Sequence, residues 1–285
     1  MNKIAIVGSE GYISKFLIEN LSKDNDILRV DKIDSPDIVF LDLAHPENFD
    51  YNLLHNIDFV IFTAAISGPD MCANEYDFCW NINVEGTSYF IKKAIEKQCK
   101  VLFFSSDAVF GEGVNNIFDE NSITAASTPY GKMKKEIEDR FRHEKGFKAI
   151  RLSYVVSMKD KFVAYCMKCI QENEIAEIFH PFYRNCITIT DVVKVVKFLS
   201  TKWDDYEHTF LNIAGIELVS RIRIADEISR KFNEFQYRIV TPNKDFFKNR
   251  PAITQMQSNY LYKMAIIEET SFTDKIKREL EEVKL

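Results

Sequence analysis

The sequence has no long hydrophobic run, no paired histidines and no excess of positive charge. No stretch approaches the roughly eighteen apolar residues of a membrane-spanning helix, and the apolar segment within residues 1–8 is too short for a signal peptide. The five histidines form no pair at metal-ligand spacing, and the formal net charge of −6 argues against nucleic-acid binding. We therefore expect a cytoplasmic protein with no membrane, nucleic-acid or metal partner.

Cysteines are few and scattered. Of the six, Cys166 and Cys169 form the only close pair, and no second Cys or His pair stands at zinc-ligand spacing. We expect reduced thiols rather than a metal site or a disulfide framework. With 285 residues, of which 46% are hydrophobic, the chain is long enough for a sizeable core and is typical of a folded globular protein.

Short apolar runs recur along the first half of the chain, with helical periodicity between most of them. The first, Ile4–Val7, ends at Gly8 and is followed by apolar residues at helical spacing from Tyr12 to Leu21. Continuous apolar strands joined by helices indicate a parallel sheet covered on both faces. The prediction is a doubly wound α/β (Rossmann) domain over residues 1–153, with further strands at 26–31, 38–41, 59–62, 101–104 and 148–152.

The second half of the chain has a looser pattern. Helical periodicity covers residues 161–171, 191–200 and 220–232, and strand-like runs lie at 186–189 and 209–212. A last amphipathic helix is predicted from Thr273 to Leu285, with Thr273 as its cap. These features predict a smaller α/β lobe over residues 154–285, with a strand or helix returning to the main sheet as an option.

A glycine turn follows the first predicted strand. Gly8 and Gly11 stand between that strand and a helix, which is the context of a dinucleotide-binding loop. The helix N-terminus, with Tyr12 and Ile13 in its first turn, would stabilise a pyrophosphate. Ser14 occupies the place of the usual third glycine and predicts looser packing of helix on strand. A plain glycine turn is the alternative interpretation of the same residues.

Other strand ends carry residues suited to the rest of a dinucleotide. Asp31 ends the second strand, where a carboxylate can accept hydrogen bonds from the adenosine ribose, and this favours NAD over NADP. The nearby Arg29 and Lys32 keep NADP open as the alternative. Small residues after the fourth strand suit a backbone close to a ligand. Asp42 and Leu43 are the candidates for contact with the adenine, and Ala64 and Ala65 are the candidates for the close backbone approach.

A serine, a tyrosine and a lysine form the candidate catalytic set. Ser106 and Asp107 end the fifth strand, at the edge of the sheet where ligands bind in open α/β folds. Tyr130 follows a proline that can start a helix, and Lys134 lies one turn further on. We expect the ammonium to lower the phenol pKa, so that Tyr130 acts as general acid-base while Ser106 holds the substrate oxygen.

With these motifs in order, the chain resembles the extended short-chain dehydrogenase/reductase family, in its nucleotide-sugar epimerase, dehydratase and reductase branch. The resemblance runs nearly end to end and is closest to dTDP-4-dehydrorhamnose reductase-like proteins. It implies a nucleoside-diphosphate sugar substrate, NAD or NADP as cofactor, and a homodimer formed through the helical segments 76–98 and 130–145. It also implies that Asn83 is a structural or proton-relay residue near the site, against the cofactor. The substrate-binding candidates are Ser106, Asp107, Arg184, Arg221 and Arg250.

One departure from the family pattern narrows the reaction. Dehydratases of the family carry Thr-Asp-Glu after the fifth strand, whereas this chain has Ser106-Asp107-Ala108. Without the second carboxylate, reduction of a keto group at C4 of the sugar is the expected chemistry. A 4-epimerase or 4-dehydrogenase with the same residues is the alternative, and a non-catalytic cofactor-binding protein is a more remote one.

Overall fold

A computed structural model describes residues 2–113 and 116–281 of the chain. These residues form two compact units. The first comprises Met1–Gly111, Thr124–Arg151 and Val196–Leu211, and the second comprises Glu112–Ile123, Leu152–Val195 and Asn212–Leu285. Within the described part of the chain, no helix combines the length and the apolar character needed to cross a membrane.

The strands alternate with helices through most of the chain. The strands are β1 (Lys3–Val7), β2 (Asp26–Asp31), β3 (Val39–Phe40), β4 (Phe59–Phe62), β5 (Lys100–Ser106), β6 (Ile117–Phe118), β7 (Phe147–Leu152), β8 (Val155–Val156), β9 (Ala176–Phe179), β10 (Tyr183–Arg184), β11 (Ile187–Thr188), β12 (Phe210–Ile213), β13 (Val219–Ser220), β14 (Tyr237–Val240) and β15 (Ile253–Met256). The α-helices are α1 (Tyr12–Leu21), α2 (Pro69–Asn74), α3 (Tyr76–Trp80), α4 (Thr87–Glu96), α5 (Pro129–Phe141), α6 (Lys161–Glu172), α7 (Ile189–Thr201), α8 (Arg221–Lys231) and α9 (Phe272–Glu281).

A seven-stranded sheet organises the first unit, in the order β12-β7-β5-β4-β1-β2-β3. The pairs of β1 with β2 and β4, of β2 with β3, and of β4 with β5 are parallel. The chain leaves β1 on one side to form β2 and β3, then returns to the other side of β1 with β4. Open α/β sheets bind ligands at such a reversal, beyond the carboxyl ends of the strands. This sheet confirms the predicted Rossmann fold.

The continuous apolar strands are buried, as expected for a sheet covered on both faces. Each of the four residues of β4 and the last four of β1 is at most 1% exposed to solvent. The register sets Val7 beside both Val30 and Phe62, so the segments after these three strands emerge together at one edge. This edge therefore receives the glycine turn, Asp31 and the Thr63-Ala64-Ala65 segment.

The second unit is built on smaller sheets and its own apolar core. A four-stranded sheet has the order β13-β10-β15-β6, and two-stranded sheets pair β11 with β8 and β14 with β9. The buried core includes Val163, Cys166, Ile178, Ile228 and Ile276, each at most 1% exposed.

The sequence misplaced one helix cap, and a second predicted helical segment contains a turn of another kind. Helix α9 begins at Phe272, and Ser271 Oγ accepts a hydrogen bond from the Asp274 amide at 3.1 Å, so Thr273 lies inside the helix and is not its cap. The segment 76–98 is not one α-helix, because a π-helical turn, Asn81–Gly86, separates α3 from α4. Wider π turns occur often at functional sites.

Candidate active site

The turn after β1 has a backbone that only glycine adopts readily. Gly8 has a φ of +85°, and a Cβ at this position would lie 2.7 Å from the Ala64 nitrogen and 2.8 Å from Thr63 Oγ1. The Gly8 amide donates to the Val30 carbonyl at 2.9 Å, and Gly11 precedes the first residue of α1. The turn thus closes against β2 and the end of β4, leaving the N-terminus of α1 free of side-chain capping.

Ser14, in the place of the usual third glycine, is hydrogen-bonded to the segment that follows β4. Its side chain is fully buried, and its Oγ lies 2.7 Å from Thr63 Oγ1. Thr63 Oγ1 in turn donates to the Val7 carbonyl at 2.8 Å. A hydrogen-bonded pair of hydroxyls therefore fastens helix to strand where a third glycine would have allowed close backbone approach.

A cleft of about 350 Å³ lies beside the glycine turn, within the first unit. Six of the predicted cofactor residues line it, namely Gly8, Asp31, Asp42, Leu43, Ala64 and Ala65. Its remaining wall was not predicted. Apolar side chains form this wall and reach into the cleft from β1, from the segment around β3, and from the segment between β4 and α4: Val7, Leu41, Ile66, Met71, Phe78 and Ile82, with Lys32 at the polar end.

The basic residues around Asp31 are paired with acids. Lys32 Nζ lies 3.0 Å from Asp42 Oδ2, and Arg29 forms an ion pair with Glu10. Hydrogen bonding to Arg29 lowers the pKa of Glu10, and Lys15 adds to this effect. Burial opposes ionisation of Asp42, but the Ala44 amide and Lys32 outweigh it and lower the pKa of that carboxyl. Asp31 itself accepts hydrogen bonds from the Glu10 and Lys32 amides at 2.8 and 2.7 Å.

Asn83 fixes the backbone at the edge of the cleft. It lies in the π-helical turn and is 4% exposed, and its side-chain amide exchanges two hydrogen bonds of 2.8 Å with the Ile66 backbone. Three residues on, a Cβ at Gly86 would come within 1.8 Å of the Leu43 carbonyl oxygen. The π-helical turn therefore packs directly against the segment after β3. The hydrogen bonds of the Asn83 side chain hold the segment after β4 in place.

Ser106 and Asp107 form a compact polar turn at the end of β5. Ser106 Oγ donates to Asp107 Oδ1 at 3.1 Å and accepts a hydrogen bond from the Ala108 amide at 3.2 Å. The serine thereby caps the short 3-10 helix Asp107–Phe110. Asp107 is 8% exposed and Ser106 is partly exposed, so a buried carboxylate and a more accessible hydroxyl lie side by side at the edge of the sheet.

Helix α5 begins against this turn. Thr128 Oγ1 accepts a hydrogen bond from the Gly131 amide at 3.2 Å, and Pro129 occupies the first helical position. A Cβ at Gly131 would lie 2.3 Å from the Ala108 carbonyl oxygen, so the helix start approaches the turn as closely as backbones permit. The sequence Thr-Pro-Tyr-Gly therefore places Tyr130 next to the Ser106-Asp107 turn.

Tyr130 has a phenol whose environment favours the protonated form. Burial raises its pKa, and the Cys72 thiol and the Asp107 carboxyl raise it further. This is opposite to the lowered value expected from an adjacent ammonium. Lys134 Nζ lies 5.7 Å from the centre of the Tyr130 ring and does not overcome the cost of burying a phenolate.

Lys134 is itself buried, with 4% of its surface exposed. Its ammonium donates to the Phe104 carbonyl oxygen at 2.7 Å and lies 4.4 Å from the centre of the Phe103 ring. Burial lowers the pKa of Lys134 to about 7, although the Glu138 carboxylate and Cys72 oppose the shift. The structure thus brings Tyr130, Lys134 and Asp107 into electrostatic contact, with Ser106 hydrogen-bonded to Asp107.

The three predicted substrate arginines all lie in the second unit. Burial lowers the pKa of the Arg221 guanidinium, Tyr154 and Asp160 oppose this, and the charges of Arg184 and Arg250 add repulsion. Among the described residues, Arg221 Nε is buried without a hydrogen-bond partner. Arg184 donates to the Tyr183, Ala252 and Pro251 carbonyls, and Arg250 donates to that of Phe246. Arg184, Arg221 and Arg250 are thus close enough to repel one another and form a positively charged cluster.

A family model for the RmlD substrate binding domain matches residues 1–285. The chain belongs to the RmlD substrate binding domain family. This membership confirms the predicted resemblance to dTDP-4-dehydrorhamnose reductase-like members of the extended short-chain dehydrogenase/reductases. A UDP-glucose 4-epimerase of Halalkalibacterium halodurans is 30% identical over 152 residues, which are 48% of this chain and 45% of that protein. The chain thus matches somewhat under half the length of this curated relative.

Solved structures of other proteins share the fold of this RmlD-family chain. The dTDP-4-dehydrorhamnose reductase of Bacillus anthracis, in complex with NADP, has a TM-score of 0.83 and 20% identity, with 100% of each chain covered. MoeE5, in complex with UDP-glucose and NAD, has a TM-score of 0.80 and 17% identity, with 98% of each chain covered. At these identities the likeness shows the fold.

Proposed function

We propose that this RmlD-family protein is an NAD(P)-dependent reductase that acts on a keto group, at C4, of a nucleoside-diphosphate sugar. The observation that carries the proposal is the set formed by the partly buried Tyr130, the buried Lys134 and the Ser106-Asp107 turn at the carboxyl edge of the sheet. The same edge carries the glycine turn and the cleft of about 350 Å³. An acid group beside a dinucleotide site is the minimum that carbonyl reduction needs.

The first unit fits a dinucleotide. Gly8 lets the turn pack against Ala64 and Thr63, where a Cβ would not fit, and the uncapped N-terminus of α1 follows the turn, which suits a pyrophosphate. Asp31 and Asp42 would lie along the adenosine half, with Leu43, Ala64 and Ala65 against it. Gly11, Tyr12 and Ile13 would lie by the phosphates, and Asn83 would hold the cleft wall in place. When bound, the reduced cofactor supplies a hydride to the keto carbon.

Side chains of the protein would supply the proton for the carbonyl oxygen and stabilise the negative charge that remains. Tyr130 would donate the proton to the carbonyl oxygen as it becomes a hydroxyl, and the Ser106 hydroxyl would hydrogen-bond that oxygen. A raised phenol pKa keeps Tyr130 protonated at neutral pH, which is the state that a reductase needs. The ammonium of Lys134 would stabilise the phenolate left behind and bind the ribose hydroxyls of the cofactor. Ala108 leaves the turn without the second carboxylate of the family's dehydratases.

Calorimetric titration tests the binding part of this function. We expect NADH or NADPH to bind first, and a nucleoside diphosphate such as dTDP or UDP to bind the protein–cofactor complex, whereas the free sugar does not bind measurably. Absence of dinucleotide binding would contradict the proposal, because the glycine turn and its cleft would then have another role.

A 4-epimerase is the second candidate. It is favoured by the UDP-glucose 4-epimerase that is 30% identical over 152 residues. The same tyrosine would then act in both directions on one sugar, and the cofactor would be regenerated in each turnover. The net consumption of reduced cofactor separates the two functions.

Asp31 is expected to set a preference for NADH. Asp31→Asn removes the negative charge that would repel a 2′-phosphate but keeps an oxygen for one of the two amides, of Glu10 and Lys32, that now donate to the carboxylate. We predict that the ratio of kcat/KM with NADH to that with NADPH falls by roughly tenfold, the worth of one charged hydrogen bond. Asp34→Asn, at an exposed position three residues on, is the matched control. An unchanged ratio in Asp31→Asn would show that this carboxylate does not select the cofactor.

Arg221 is the arginine best suited to bind the diphosphate. Its Nε is buried without a partner among the described residues, whereas Arg184 is committed to backbone carbonyls. For Arg221→Gln we predict a KM for the nucleotide sugar that rises by roughly tenfold or more, from the loss of a charge-assisted hydrogen bond. The exposed Arg238, paired with Glu177, provides the control Arg238→Gln. Equal KM values in the two variants would exclude Arg221 from diphosphate binding.

We also propose a homodimer that pairs through the segments 76–98 and 130–145. Tyr76 and Tyr89 are 37% and 40% exposed, respectively, on the first of these segments. A second copy that covered them would remove a large apolar area from water. Sedimentation equilibrium would give twice the chain mass if the proposal holds, and the mass of one chain if it does not.

A further inference from the structure

A buried carboxylate lies one helical turn beyond Lys134. Glu138, on the same helix α5, is 1% exposed, and its position four residues on puts it on the face that carries Lys134. Acidic side chains are almost never fully buried unless they are paired. This one is not required by the proton transfer proposed for Tyr130.

Two side chains from other elements fix the Glu138 carboxylate. Ser105 Oγ, on β5, donates to Oε1 at 2.5 Å. Arg151, on β7, donates from Nε to Oε1 at 3.1 Å and from Nη2 to Oε2 at 2.7 Å. Arg151 is 2% exposed and lies 4.9 and 4.3 Å from the ring centres of Phe110 and Phe210. These hydrogen bonds from two other elements leave the carboxylate little freedom to move.

Few charged groups face the Lys134 ammonium. Glu138 acts on it from its own helix, and Cys72 acts on it from α2. From β5 it meets the Phe104 carbonyl and the Phe103 ring, while Asp107 in the following turn acts on Tyr130. Arg151 on β7 is turned to the carboxylate of Glu138. Of these groups, Glu138 is the fixed anion that opposes the cost of burying a cation at Lys134.

We propose that Glu138 is a positioning residue for Tyr130, because its fixed carboxylate keeps the Lys134 ammonium charged and docked on the Phe104 carbonyl oxygen. Ser105 and Arg151 hold that carboxylate in place. Burial lowers the pKa of Lys134 to about 7 even with Glu138 in place, so loss of the anion would leave the lysine mostly neutral at physiological pH. A neutral lysine would neither stabilise a Tyr130 phenolate nor remain a strong donor.

If Glu138 acts on Lys134 through its charge, replacing Glu138 and replacing Arg151 should shift the titration midpoint of Lys134 in opposite directions. Glu138→Gln removes the anion and should lower the midpoint of Lys134 titration by roughly one pH unit or more. Arg151→Met leaves the anion without its guanidinium and should raise that midpoint. A purely structural pair would move Lys134 in the same direction in both variants, because either change disturbs the same packing.

The test is an NMR titration of the full chain labelled with ¹³C-lysine, with the Lys134 signal assigned by its loss in Lys134→Met. Glu136→Gln is the matched control, because Glu136 lies on the same helix but pairs with Arg140 on its outer face. We expect midpoints in the order Glu138→Gln, wild type, Arg151→Met, with Glu136→Gln equal to wild type. Equal midpoints, or shifts of one sign, would overturn the proposal.

A second variant covers the case in which Glu138→Gln does not fold, and a kinetic measurement tests the catalytic consequence. If Glu138→Gln does not fold, the double variant Glu138→Gln/Arg151→Met leaves neither member of the pair unpaired and should titrate at a lower midpoint than Arg151→Met alone, whereas equal midpoints in these two variants overturn the proposal. The catalytic part of the inference rests on the proposed function, and it predicts that the alkaline limb of kcat/KM shifts to lower pH in Glu138→Gln. The NMR midpoints need no turnover, so failure of the reductase assignment and failure of this inference are distinguishable.

Discussion

Tyr130→Phe is expected to lower kcat by roughly a hundredfold to ten-thousandfold, which is the usual contribution of a general acid. The variant loses only the phenolic oxygen, so the ring still packs against the apolar core of the first unit. Because burial keeps the phenol protonated at neutral pH, its loss removes the proton that the proposed reaction delivers to the carbonyl oxygen. Single-turnover kinetics with NADH and a nucleoside-diphosphate keto sugar measures this effect directly.

Binding and folding should be unaffected by the same change. The dissociation constant for NADH is expected to stay within about a factor of three of wild type, which corresponds to well under 1.4 kcal/mol. Tyr89→Phe, at a 40% exposed position on α4, removes an equivalent hydroxyl away from the site and should retain full activity. If Tyr130→Phe turned over at the wild-type rate, Tyr130 would not be the acid.

Gly8→Ala is expected to weaken binding of the dinucleotide by roughly tenfold or more. An alanine at a φ of +85° is strained by about 1–3 kcal/mol, and its Cβ would lie 2.7 Å from the Ala64 nitrogen. Either β1 or the segment after β4 must then shift, and both border the cleft. Fluorescence titration with NADH measures the affinity, and chemical denaturation should show a fall of about 1–3 kcal/mol in unfolding free energy.

Gly68→Ala is the matched control for this glycine. Gly68 precedes α2, and a Cβ there would meet only Met71 Cβ at 3.5 Å, an ordinary van der Waals contact. The alanine should therefore leave the NADH affinity and the stability close to wild type. Equal affinities in Gly8→Ala and Gly68→Ala would show that the glycine turn does not lie against the cofactor.

Much of the fold could be predicted from local patterns. The runs Ile4–Val7 and Phe59–Phe62 are uninterrupted and apolar, and both proved to be central strands buried on both faces. The positions of Gly8, Asp31 and Ala64 at one edge followed from the rule that parallel strands end together. That these residues line one cleft is a consequence of the register, which sets Val7 beside Val30 and Phe62.

The electrostatics of the site could not be predicted in the same way. Spacing places Lys134 one turn from Tyr130, but the direction of the phenol pKa depends on burial and on Cys72, which lies about sixty residues earlier in the chain. The pairing of Lys32 with Asp42 and of Glu138 with Arg151 likewise joins separate elements. The apolar wall formed by Met71 and Phe78 carries no motif, because helical periodicity does not tell which face meets a ligand.

The stoichiometry of cofactor consumption tests the proposed reductase most directly. Purified protein would be incubated with NADH or NADPH and a nucleoside-diphosphate 4-keto sugar, with the absorbance of the reduced nicotinamide and the mass of the sugar nucleotide followed together. The account predicts that one equivalent of reduced cofactor is oxidised for each keto group converted to a hydroxyl. Interconversion of a nucleoside-diphosphate sugar with its 4-epimer, with no net consumption of reduced cofactor, would contradict it.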